Sequence, residues 1–179
     1  MVSAEESDKK EVDFAIGYFP EMMTTIVTQG PQSAWRHQTL YDSKYVCVMR
    51  KDHALATQEL DLDAFCSAHH VLVSFSGQPY GFVDQAMARL DRTRRIVLTV
   101  NQFFTAAQIV VNSDLLTVLP RTFLPVTGLQ DALIVRPIPL QVSPVRVEMI
   151  WHRRHDLHPA HTWMRQTFVQ ASTYINIPE

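Results

Sequence analysis

Four histidines spaced three residues apart, His152, His155, His158 and His161, are the first feature of the sequence that could do chemistry. Imidazole is the commonest zinc ligand, so the run raises a metal site. Helical zinc pairs use i,i+4, however, and Pro159 divides the set, leaving His152 on a strand end, His155 in a loop and His161 inside a helix. No H-E-x-x-H arrangement accompanies them. The residues therefore read as solvated loop histidines with one acting as a helix cap, and no metal is assigned. Nucleophiles are equally unsupported. Ser76 lies in FSGQ and Ser74 in VSF, with no G-x-S-x-G elbow around either. Cys47 within an apolar strand and Cys66 at the end of a short helical segment read as packed thiols, with nothing basic placed to hold a thiolate. His69-His70, just before a strand, reads as structural. No catalytic residue is proposed. Gly77 and Gly81 flank a helix start after a strand, where anions bind helix N-termini. The phosphate fingerprints G-x-G-x-x-G and G-x-x-x-x-G-K are absent. Ser76, Gln78 and Tyr80 there form either a carboxylate seat or a well-capped turn, and both readings stand.

These residues need elements to position them. Val12–Gly17, His70–Phe75, Ile96–Val100, Leu115–Leu119, Leu133–Val135 and Val145–Trp151 are short apolar runs that predict strands. His37–Tyr41 and Lys44–Arg50 predict a strand-turn-strand unit around Asp42-Ser43. Helices are expected at Leu60–Phe65, from Pro79 to Leu90, over Asn101–Val111, and from Pro159, at its first position, to about Thr173. Ser3–Glu11 reads as the end of a helix, and Tyr18–Ala34 as an irregular loop. From Phe75 to Leu119 the order is strand-helix-strand-helix-strand, which argues for a parallel sheet with covering helices. Ligands in such sheets sit at the carboxyl ends of strands. That directs attention to Tyr18 and Phe19, Ser76–Gly81, Asn101–Phe103 and Pro120.

Composition limits the function classes. The chain has 179 residues, 46% hydrophobic and 19% charged, so it can bury a core and is not a disordered segment. No run approaches the roughly 20 apolar residues of a membrane span. The acidic opening MVSAEESDKKEVD is not a signal peptide, and the expected location is cytoplasmic. A net charge of −2 gives no broad attraction to nucleic acid, and Arg89–Arg95 and Arg153-Arg154 read as solvated surface. Two cysteines make no disulfide framework.

The ordered segments DFAIGYFP, KYVCVMRKDHALA, HHVLVSFSGQPYGFVDQAMARL, RRIVLTVNQFFTAAQIV, SDLLTVLPRTFL and EMIWHRRHDLHPAHTWMRQ resemble the LysR-type transcriptional regulators. The look is closest to the subgroup holding the nodulation regulators and the naphthalene/salicylate-type activators. The resemblance runs from Val12 to about Gln170. It implies an α/β effector-binding domain of the type 2 periplasmic-binding-protein-like fold, two α/β lobes with an effector cleft. Lobe II would be residues 70–140, and lobe I residues 1–69 plus 141–179. It further implies that the sequence is N-terminally truncated relative to the family, with lobe I incomplete and the winged helix-turn-helix absent. DNA would then be reached only through that missing domain. A homo-oligomer in the full-length form, no membrane partner and no cofactor complete the expectation.

Carried over residue by residue, the family's effector contacts fall on Tyr18, Phe19, Ser76, Tyr80, Asn101, Gln102 and Phe103. Salicylate-type relatives have histidine where Tyr80 stands, and proline and histidine where Asn101 and Gln102 stand. Aromatic faces with a few donors suit an aromatic or small organic acid. The expected function is thus small-molecule sensing by a LysR-type effector-binding domain, not catalysis. A free-standing solute-binding protein of the same fold is the first alternative. A metal-dependent enzyme built on the four histidines is the second.

Overall fold

The computed structural model describes residues 12–75 and 77–175. In chain order the elements are β1 (Ala15–Gly17), α1 (Pro20–Gln29), β2 (Trp35–Ser43), β3 (Tyr45–Arg50), α2 (Leu62–Ser67), β4 (His69–Val73), α3 (Phe82–Ala88), β5 (Arg95–Val100), α4 (Phe103–Val111), β6 (Leu115–Pro120), α5 (Leu124–Thr127), β7 (Leu133–Pro137), β8 (Val145–His152) and α6 (Pro159–Thr173). The expected helix end at Ser3–Glu11 lies outside the described residues.

The chain divides into two compact units. The first takes the chain up to Ser43 and again from Val145, and the second is Lys44–Pro144. The sequence reading divided the lobes at 69/70 and 140/141. The division in the structure runs at 43/44 and 144/145, because β3 hydrogen-bonds to β6 and β7 of the second unit.

The first unit carries a three-stranded sheet in the order β1-β8-β2, with β8 antiparallel to both neighbours. Helix α6 packs on β2. Gly17 ends β1 opposite Glu148, and a Cβ there would meet the Phe19 ring at 3.1 Å, so glycine is what lets Phe19 fold back over the strand. The region read as an irregular loop contains α1, entered through Pro20 at its first turn. Its periodicity is weak because Thr24, Thr25 and Thr28 spend their hydroxyls on the carbonyls of Pro20, Glu21 and Thr24, and only Ile26 is buried.

The second unit carries a five-stranded sheet in the order β5-β4-β6-β3-β7. Strand β4 is parallel to both β5 and β6, and β3 is antiparallel to β6 and β7. The expected alternation from Phe75 to Leu119 is present as two successive crossovers through α3 and α4. Apolar residues coat both faces. On β3, Val46 and Val48 join the cluster under α4 with Val71, Ala107 and Val110. Cys47 and Met49 join the opposite cluster with Phe65, Val83 and Met87. This period of two explains why KYVCVMR is apolar at nearly every position.

The strand-turn-strand reading of His37–Arg50 is corrected here. Strands β2 and β3 follow one another in sequence but belong to different sheets. Buried on both faces, β3 needs a central position between two strands. The polar WRHQTLYDS of β2 suits an edge, where one side faces water.

Candidate functional site

Because β4, β5 and β6 are mutually parallel, their carboxyl ends lie along one edge of the second unit's sheet. Three chain segments leave that edge: Ser74–Gly81 after β4, Asn101–Gln102 after β5, and Arg121–Phe123 after β6. The first two are tied together, since the Ser74 N–H donates to the Val100 carbonyl at 2.8 Å. Gly77 turns the first segment with φ +73°, a left-handed backbone that favours glycine. The Gly81 N–H then donates to the Asp84 carboxylate at 2.7 Å, which fixes the entry to α3.

Asp84 is held in turn by Arg94, whose Nε and second guanidinium nitrogen donate to the two carboxylate oxygens at 2.7 and 3.0 Å. Burial pushes the Asp84 carboxyl upward, but the Arg94 hydrogen bonds and charge outweigh it and leave the group below its ordinary range. Arg94 itself is 1% exposed and lies over the Phe65 ring. This ion pair therefore anchors the turn after β4 to the start of β5.

Phe103 begins α4 and is the centre of an aromatic row. Its ring meets Phe75 edge-on at 5.6 Å and Phe123 at 5.4 Å. Phe75 is 75% exposed, an unusual placement for a large apolar ring. Gln102 is the N-cap residue of α4 and gives no side-chain cap. The first turn of that helix, whose leading N–H groups have no partner within the helix, begins at the same edge. Asn101 and Gln102 are exposed beside them, as is Tyr80. Phe82, next but one to Tyr80, stacks on Tyr45 at 4.0 Å.

Of the residues singled out from the sequence, Asn101, Gln102 and Phe103 are brought together at this edge, and Tyr80 lies in the turn entering α3. Ser76 lies outside the described residues. Tyr18 and Phe19 belong to the first unit, where Tyr18 is exposed and Phe19 caps α1 over Gly17. Sequence reasoning missed Phe75 and Phe123. Both stand within three residues of a strand end, and that position was the available signal. It also missed the Asp84–Arg94 pair, whose partners are ten residues apart across a turn.

The first unit holds two further groupings. A cavity of about 350 Å³ between α1 and β2 is lined by Ile26, Val27, Gly30, Pro31, Trp35, Arg36 and His37, none of them a strand-end residue singled out from the sequence. Its polar side chains are already engaged: Arg36 with Asp156 at 3.4 Å, and His37 Nδ1 with the buried Glu148 carboxylate at 3.3 Å, where the Thr39 hydroxyl also donates at 2.9 Å. The histidine run resolves into distinct roles. His152 accepts from the Arg154 N–H, and His158 occupies the N-cap of α6 without a side-chain cap bond. His155 and His161 are half-buried and stacked on each other, not solvated as the sequence suggested.

Residues 4–173 match the family described as LysR substrate binding domain. The chain belongs to this family. Among similar proteins is the HTH-type transcriptional activator NagR of Ralstonia sp, 28% identical over 166 residues, which cover 93% of this chain and 52% of NagR. The chain thus spans about half the length of the curated relatives it matches. In structure it is similar to the regulatory domain of MexT, a transcriptional activator in Pseudomonas aeruginosa, with a TM-score of 0.74 at 24% identity, over 93% of this chain and 76% of that one. It is also similar to the effector binding domain of QuiR in complex with shikimate, with a TM-score of 0.69 at 14% identity, over 95% of this chain and 76% of that one. The LysR domain fold here is the type 2 periplasmic-binding-protein-like arrangement of α/β units. Among the described residues no helix is long and apolar enough to cross a membrane.

Proposed function

We propose that this LysR substrate-binding domain senses a small aromatic or organic carboxylic acid, and that the carboxyl edge of β4, β5 and β6 supplies part of the seat. One observation carries the reading. The Phe75–Phe103–Phe123 row and the start of α4, whose N-cap residue makes no side-chain cap bond, lie on one edge, pairing aromatic faces with backbone donors. Apolar rings remove ligand carbon from water, and N–H groups at a helix start favour an anionic head. Asn101 and Gln102 add orienting polar groups, with Tyr80 from the turn after β4 as a further proposed contact. The complex of QuiR with shikimate supports an effector role for a domain of this fold.

On this reading the chain binds and does not catalyse. It works in the cytoplasm as the sensory part of a transcription regulator whose DNA contacts come from a separate helix-turn-helix domain, and which acts as a homo-oligomer. Calorimetric titration with a panel of benzoates and salicylates tests it. At least one is expected to bind with Kd below about 1 mM, equivalent to roughly −4 kcal/mol. Phe103→Ala should weaken that ligand about tenfold by removing the central ring. Absence of any binder at millimolar concentration overturns the proposal.

A further inference from the structure

We propose that Asp13, His155 and His161 form a site for one divalent transition-metal ion, with Zn²⁺ as the physiological candidate. The chain brings these residues together from three places: the segment before β1, the 3-10 turn Arg153–His155 after β8, and the first turn of α6. One ligand atom from each lies within 4.8 Å of the other two. His161 Nε2 and an Asp13 carboxylate oxygen are 3.5 Å apart. Ligand atoms around a tetrahedral zinc stand about 3.4 Å from one another, given metal–ligand bonds of about 2.1 Å. The Asp13–His161 pair already has that spacing, and His155 needs to close by at most about 1.4 Å.

The surroundings hold the rings in place. Phe14 packs on His161 at 4.9 Å, while His155 stacks on it at 4.0 Å with the planes 3° apart. Arg165 lies over Trp151 and donates to the carbonyls of His155 and Asp156, which ties the turn to α6. The Arg154 Nε–H donates to His155 Nε2 at 2.9 Å. Because arginine only donates, that nitrogen carries a lone pair and the ring is neutral, the form that binds metal.

The same details set the affinity. His161 Nδ1 is buried without a hydrogen-bond partner, so one ligand lacks the outer-shell support that strong sites give. Loss of such support weakens metal sites 10- to 100-fold, which predicts a Kd on the order of 10 µM instead of nanomolar. Water fills the remaining coordination. His158, with its ring 5.1 Å from that of His161, is close enough to shield the site but is not among the three ligands.

The test is calorimetric titration of the untagged, chelator-treated chain with ZnCl₂, together with the visible spectrum of the Co²⁺ form. One ion per chain is expected. Asp13 is an exposed side chain whose replacement leaves the core intact, so Asp13→Asn should weaken binding at least tenfold while the thermal melt of the metal-free chain is unchanged. His155→Ala should do the same. His69→Ala, exposed in the other unit, should have no effect. Arg154→Gln, which removes a competing donor and a positive charge, should tighten binding about threefold. Absence of saturable binding up to about 1 mM overturns the assignment. So does a Zn²⁺ affinity unchanged in both Asp13→Asn and His155→Ala. Metal is read directly, so failure here leaves the effector proposal standing.

Discussion

His70 shows what one buried side chain contributes. Its ring is fully buried, stacks edge-on with Phe65 at 4.6 Å, and its Nε2 donates to the Phe65 carbonyl at 2.7 Å. Nδ1 is buried without a partner and therefore carries the lone pair. Burial first, then the nearby Arg94 charge, lowers the group to about 4 from an ordinary 6.5. The unfolded chain takes up this proton as pH falls through 6.5, while the folded chain resists it until about 4. Stability is therefore full above pH 6.5 and declines between 6.5 and 4, by about 3 kcal/mol from this residue. Urea titrations at pH 7.0, 5.5 and 4.5 would show that slope. In His70→Leu the slope over that window should be shallower, although the pH 7 stability also falls with the lost hydrogen bond. The Cys47 thiol, which also feels the Arg94 charge, behaves in the opposite sense. Burial pushes Cys47 up to about 12, with Arg94 opposing, so it stays a neutral, unreactive thiol.

At the scale of elements, the Asp84–Arg94 pair joins α3 to β5 and fixes the turn that carries Tyr80. With Arg94 at 1% exposure, removing its partner leaves a buried charge without its counter-ion. Asp84→Ala should therefore cost about 3–5 kcal/mol in urea denaturation at pH 7. Such pairs are invisible to periodicity, because nothing in GFVDQAMARLDRTRRIV distinguishes Arg94 from the exposed Arg89 or Arg95. The strands were legible for the opposite reason. Runs such as HHVLV, RRIVLTV and LLTVLP lie in a parallel array and announce themselves by continuous apolar character. Helix α6 was legible through Pro159, which sits at its first position as expected. Helix α1 was not, because threonines bonded back to the backbone dilute its pattern. Pairing partners were not legible either. The polarity of β2 against the apolar β3 was the only hint that the two strands part into different sheets. At the candidate site, Asn101–Phe103 could be placed from strand ends alone. Phe75 and Phe123 required knowing that β4, β5 and β6 run parallel side by side.

At the scale of the whole molecule, the two units are built differently from the chain. The second is one continuous segment, Lys44–Pro144, and it contains both large apolar clusters on the two faces of its sheet. Its strand pairings also close within it, from β3 through β7. The first unit needs two distant segments, since β8 supplies the centre of a sheet whose other strands come before Ser43. A continuous segment with its own core meets the requirement for independent folding, whereas the halves of the first unit leave β1 and β2 without their partner. The isolated fragment 44–144 should therefore give a cooperative thermal melt and dispersed amide resonances, and the fragment 145–179 should give neither. Because Asp13, His155 and His161 all lie in the first unit, the 44–144 fragment should also take up no stoichiometric Zn²⁺ while keeping the Phe75–Phe103–Phe123 edge. An unfolded 44–144 fragment would show that its core depends on the first unit. Stoichiometric Zn²⁺ in a folded one would place the ion on residues other than those three.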